Sequence, residues 1–275
     1  MELSEALTIV SKSSIARYAA QLERLLRPTI YLRPVSEQES VPVGACKIGG
    51  VPDMPSEFEW PRRDNTPLSF LLQINLSAVK PYDLENWLPN SGMLYFFCAT
   101  DEVPWGYPDE REAWRVYYYD GDMRRIVSTK PPRDLPHEAQ FPEIALAPEL
   151  TYTLPACTEE LEWIAPEFYQ QLTEEECDAY LDLCSDLQPY PRHWMLGYHT
   201  PIQSPANIEA IQNMHEQPYE QASACAQEMV LLLQLDSDES ADMMWGDMGI
   251  LYFWIHQDDL AGRRFENTWL VQQCY

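Results

Sequence analysis

The chain has 275 residues, of which 44 are Asp or Glu and 18 are Lys or Arg, giving a formal net charge of −26. A field of that sign repels phosphate backbones and anionic headgroups, which argues against nucleic-acid binding and membrane-surface adsorption. With 45% hydrophobic residues, nine Trp and 16 Tyr, the composition is that of a folded chain with a large core and not of an acidic disordered tail.

Taken in chain order, Ile15, Ala19, Leu22 and Leu26 recur at helix spacing, with Ser13 or Ser14 to cap the start and Pro28 to close the end. Thr29 to Val35 reads as a strand, and Gly44 to Pro61 as a long Gly/Pro-rich loop. Strands are expected at Ser69 to Leu76, Met93 to Cys98 and Trp114 to Tyr119, with an irregular connection over Ser77 to Ser91. Asp120-Gly121 reads as the turn into a further strand near Met123 to Val127. Lys130 to Pro148 holds five prolines and few periodic apolar positions, so it reads as a surface connector. Thr173 to Leu187 is the clearest helix: Thr173 and Glu176 form a capping box, and Cys177, Tyr180, Leu181, Cys184 and Leu187 make its apolar stripe. Two further helices, Pro205 to Met214 and Ala222 to Met229, precede a second set of strands.

That second set repeats the first. Leu71-Leu72-Gln73-Ile74-Asn75 and Gly92-Met93-Leu94-Tyr95-Phe96 have counterparts in Leu232-Leu233-Gln234-Leu235-Asp236 and Gly249-Ile250-Leu251-Tyr252-Phe253. Trp114-Arg115-Val116 is matched by Trp269-Leu270-Val271 in the same order. Ile48 to Pro52 and Leu196 to Pro201 offer a fourth pairing through their Gly and Pro residues. The expectation is an α+β fold: a largely antiparallel sheet built from two internally duplicated three- to four-strand units sharing one core, with peripheral helices. One domain spans 1–275, comprising an N-terminal helix and strand (1–43), a first unit (44–128), an acidic connector with a helix (129–190) and a second unit (191–275).

The seven cysteines are odd in number and include no Cys-x-x-Cys pair, which fits neither a disulfide framework nor a zinc ribbon. The N-terminus lacks a basic region followed by an apolar core, and no apolar run approaches a bilayer span, so a cytoplasmic protein is expected. Period-2 geometry places Gln73 and Gln234 in the middle of equivalent apolar strands, where an amide must either tie down neighbouring backbone or line a site. Asp236 to Asp247 is the strongest polar cluster. Laid on the EF-hand pattern it supplies Asp at three ligand positions, but Ala241 replaces the obligatory glycine, and a strand-to-strand turn explains it with fewer assumptions. Asp236, Asp238 and Asp247 are the metal candidates of that reading.

His193, His199 and His256 show no metal-ligand spacing, and Lys47-Ile48-Gly49-Gly50 fits no phosphate-binding loop, although Lys47 could line a pocket. The candidate ligand-binding residues are therefore Gln73, Gln234, Asp236, Asp238, Trp245, Asp247, His193 and Lys47. No catalytic signature and no cofactor motif is present.

Lys47 to Pro55 with Trp60-Pro61, Phe70 to Leu76, Leu88-Pro89 with Gly92, His193 to Gly197, Leu233 to Asp238 and Trp245 to Gly249 together resemble the bacterial YwqG-like family, from about residue 44 to the C-terminus. The resemblance implies an α+β fold containing a duplication in a domain of unknown function, and it brings no assigned catalytic residue. The leading functional expectation is a non-catalytic interaction protein whose acidic field takes a basic protein partner. A hydrolase or small-ligand enzyme with a pocket between the two units, and a calcium-binding protein, are the rival expectations.

Overall fold

The computed structural model describes residues 1–35 and 40–275. Its strands are β1 (Arg27–Val35), β2 (Lys47–Ile48), β3 (Asp53–Pro55), β4 (Arg62–Arg63), β5 (Thr66–Pro67), β6 (Ser69–Asn75), β7 (Met93–Cys98), β8 (Trp114–Tyr119), β9 (Ile126–Ser128), β10 (Ile144–Thr153), β11 (Trp194–Met195), β12 (Met229–Asp236), β13 (Ile250–His256) and β14 (Trp269–Gln273). Its helices are α1 (Leu3–Lys12), α2 (Ala19–Leu25), α3 (Leu76–Val79), α4 (Thr158–Ile164), α5 (Pro166–Tyr169), α6 (Glu174–Leu187), α7 (Ala206–His215), α8 (Tyr219–Cys225) and α9 (Gln257–Ala261). Among the described residues no helix is long and apolar enough to cross a membrane.

Ten strands form one antiparallel sheet in the order β14-β13-β12-β11-β1-β10-β2-β6-β7-β8. Two three-stranded meanders, β6-β7-β8 and β12-β13-β14, flank a central β1·β10 pair that runs in register from Arg27↔Thr153 to Val35↔Ala145. Both meanders carry a register shift in their first hairpin, at Leu71 and at Leu232. The sheet curls until its two ends meet and is nearly a barrel. Trp114 of β8 stacks edge-on against Trp269 of β14 at 5.3 Å, and its indole N–H donates to Thr268 O.

This curling explains why the strands read as unbroken apolar runs instead of alternating. Met93–Cys98 is buried throughout, because one face looks into the curled sheet and the other is covered. Phe96 meets Phe253 across the interior, whereas Phe97 faces outward under Phe58 and Trp60. A second cluster packs α1, α2 and α6 onto Tyr152 and Leu154, near the end of β10.

The order of pairing does not follow the chain. β1 precedes β2 but pairs with β11, and β10 precedes β11 but pairs with β2. Each half of the chain thus sends its leading strand into the other half's part of the sheet. Gly49 and Gly197 permit this crossing, both with positive φ. A Cβ would lie 2.0 Å from Pro142 O at Gly49 and 1.9 Å from Thr29 Oγ1 at Gly197.

Several elements differ from the sequence expectation. The expected N-terminal helix begins only at Ala19, and α1 precedes it. The Met123 to Val127 strand is reduced to β9, which pairs with β3 outside the main sheet. The last five residues of the expected connector, from Ile144, belong to the central strand β10. The helix at Thr173 has the expected capping box, with Glu176 N–H donating to Thr173 Oγ1 and Glu176 accepting from Thr173 N–H.

Candidate functional site

Seven of the eight predicted residues fall into two separate polar knots, one outside each meander, and Asp247 falls in neither. In the first, Gln73 Oε1 accepts from Asp53 N–H at 2.8 Å, and its Nε2 donates to Ala45 O at 2.9 Å and to Asp53 Oδ2 at 2.7 Å. Its cross-strand neighbour Tyr95 donates its hydroxyl to Asp53 O. Asp53 is fully buried and also accepts from Gly44 N–H and the Ser128 hydroxyl. The ammonium of Lys47, 1% exposed, lies 3.3 Å from Asp53 and 3.0 Å from Glu143. A buried lysine needs such pairing, since desolvating an unpaired charge costs several kcal/mol.

The second knot repeats the clamp. Gln234 Oε1 accepts from Thr200 N–H and its Nε2 donates to Arg192 O, while Tyr252 donates to Thr200 O. In both knots, the Gln and the facing Tyr pin the segment that crosses over the sheet. Asp236 holds Arg192 through the backbone N–H and the guanidinium, each at 3.0 Å. His193 Nδ1 accepts from Asp236 N–H, so its proton sits on Nε2, which faces Asp238 Oδ2 at 3.2 Å. Burial pushes the Asp238 carboxyl up, but hydrogen bonds from His193 and Ser240 outweigh it and hold the group down at about 2. Trp245 donates its indole N–H to Asp236 O and packs against Phe141. Asp247 is exposed, and its carboxylate makes no hydrogen bond or ion pair with the other two aspartates. Among the described residues no group of three or more His, Cys, Asp or Glu side chains is placed to hold a metal ion.

The structure thus joins Asp236, Asp238, His193, Trp245 and Gln234 in one knot and Lys47 with Gln73 in another. In both, the polar atoms spend their bonding capacity on the protein itself.

A third constellation differs in this respect. Between α4, α8 and the segment after β11 lies a cavity of about 60 Å³ lined by Arg27, Glu160, Tyr198, His199, Asn207 and Trp254, among others. His199 Nε2 accepts from Ala206 N–H, so its proton is on Nδ1, and that atom has no partner. Glu160 Oε2, 3.8 Å away, and the Trp254 indole N–H are also buried without a partner. Burial raises the Glu160 carboxyl to about 8, with Arg27 pulling the other way, and lowers His199 to about 3. Both are therefore neutral near pH 7.

His199 was named in sequence only among three histidines without metal-ligand spacing, and was not made a candidate, and Glu160 was missed among the four carboxylates of 159–167. The signal that could have found it is spacing. Glu160 stands three and four residues before Trp163 and Ile164, on a helix face that looks inward.

A search of the curated proteins finds no match. A family model described as a domain of unknown function (DUF1963) covers residues 46–274, from just before β2 through both meanders to the end of β14. On that match over most of its length, the chain belongs to this family of unknown function.

Proposed function

We propose that this chain is a non-catalytic cytoplasmic interaction protein that receives a basic partner on the acidic face of α6. The observation that carries this reading is the ladder Glu174, Asp178, Asp182 and Asp186, four exposed carboxylates each one helical turn from the next. Like charges at this spacing destabilise a helix by roughly 0.2–0.5 kcal/mol per pair. No basic residue occupies the last turn, where the helix dipole would favour one. A helix that keeps such a ladder at a cost to its own stability has a use for the charge. The region from Asp134 to Gly262, with 25 acidic residues and only Arg192 of opposite sign, extends the same field.

The test is fluorescence anisotropy of a labelled Lys/Arg-rich peptide at low and moderate salt. Asp178→Asn, Asp182→Asn and Asp186→Asn combined are expected to weaken binding at least tenfold, and added salt to weaken it in the unaltered protein. Equal binding by the triple variant would sink the assignment.

The finer family reading, YwqG-like and bacterial, rests on the combined motifs quoted above. We also infer that the two meanders descend from one duplicated unit. The matched register shifts at Leu71 and Leu232 and the matched Gln–Tyr clamps support that descent.

A further inference from the structure

Three unpartnered buried polar groups line one cavity, which the two satisfied knots do not resemble. An unmet buried donor keeps the full cost of its desolvation, so three together call for an occupant. In their neutral forms, His199 offers Nδ1–H, Trp254 offers its indole N–H and Glu160 offers a carboxyl O–H. One water accepts at most two hydrogen bonds. A carboxylate has two oxygens and about four lone-pair sites, enough to accept from three donors. The space of about 60 Å³ suits a group of a few heavy atoms. Arg27, stacked over the Tyr198 ring at 4.4 Å, stands exposed among the lining residues and supplies the local positive charge that the acidic chain otherwise lacks.

We propose that this cavity is a binding site for the carboxylate group of a small organic acid. Glu160 must hold its proton for the site to accept an anion, so binding at pH above the carboxyl's own titration takes up one proton from solvent. Several charged or titratable groups face or flank Glu160. They are Arg27 from β1, Tyr180 and Cys184 from α6, Tyr198 and His199 after β11, and Cys157 at the start of its own helix. Burial raises Cys157, Cys184 and Tyr198 each to about 12, so Arg27 is the one member of this set charged at neutral pH with Glu160 protonated. The neighbouring Glu159 is exposed and accepts the Tyr219 hydroxyl.

The experiment is a titration of the ¹⁵N-labelled protein with sodium acetate, against sodium chloride at equal ionic strength. The Trp254 indole signal is identified as the one missing from Trp254→Phe. A saturable shift of that signal with acetate alone is expected at pH 6, with affinity falling about tenfold per pH unit above about 8. Glu160→Gln keeps a donor at the same place and is expected to bind acetate without that pH dependence. No saturable shift by about 0.1 M acetate would overturn the proposal, and would leave water as the occupant. Affinity that rises with pH, or a shift produced by ammonium in place of acetate, would overturn it in favour of a cation site. Should Glu160→Gln fail to fold, the pH profile of the unaltered protein decides the same question.

Discussion

Glu160 and His199 sit 3.8 Å apart beside the same cavity and are displaced by burial in opposite directions, so their effects on stability oppose each other across pH. Glu160 titrates at about 8 in the folded chain against an ordinary 4.5. The folded state therefore holds the extra proton between those values, and stability falls as pH rises through them. His199 titrates at about 3 against 6.5, so the unfolded chain takes the proton first as pH drops, and stability falls from 6.5 towards 3. The two slopes cancel between 4.5 and 6.5. Chemical denaturation at a series of pH values is expected to show a plateau there with losses on either side, each approaching about 1.4 kcal/mol per pH unit. Glu160→Gln should abolish the loss above pH 6.5 and extend the acid limb up to that value, replacing the plateau by a slope; an unchanged alkaline limb would refute the assignment. The glutamines were legible in sequence because an amide repeated in two apolar strands has few explanations. Glu160 was not, because a Glu facing inward and a Glu facing solvent are the same letter in an acidic helix.

Among the elements, β10 shows where sequence patterns mislead. Pro148 falls inside it, and proline inside an apolar run ordinarily argues against a strand. The pairing removes the objection. Leu32, opposite Pro148, donates its N–H to His193 O, away from β10, so the proline nitrogen also points away from β1. On that side β2 pairs only with Ile144 and Ala145, and Pro148 forfeits no ladder bond. Pro34 lies opposite Leu146, whose N–H goes to Cys46 O, and obeys the same logic. By contrast α6 was readable to within a residue, because its capping box and apolar stripe are local. Its acidic ladder yields a second expectation, independent of any partner. Asp178→Asn, Asp182→Asn and Asp186→Asn together should raise unfolding stability by about 0.5–1 kcal/mol, through relief of like-charge pairs. A loss of stability would mean that these carboxylates do structural work.

At the scale of the whole molecule, the sheet joins its ends through aromatic side chains and not through a ladder: Trp114, Trp269 and the loop carrying Gly106 bridge β8 to β14. The apolar runs at 71–76, 93–98, 229–236 and 250–256 marked strands of both meanders, but nothing in them could foretell how β1 and β10 are shared, since strand partnership is a long-range choice. That sharing makes the two halves hostages to one another. A chain severed in the exposed segment at Arg133-Asp134 yields two fragments, each missing the strand that the other carries. Neither fragment should fold alone, whereas the two produced together should find each other and reassemble without a linker, as a split protein. Size-exclusion chromatography of co-expressed and separately expressed fragments reads the outcome. A stable, monomeric, folded fragment 134–275 by itself would show that the borrowed strand is dispensable. If reassembly succeeds, the exchanged strands act as a mutual recognition element, and two proteins fused to the separate halves would be carried into one particle.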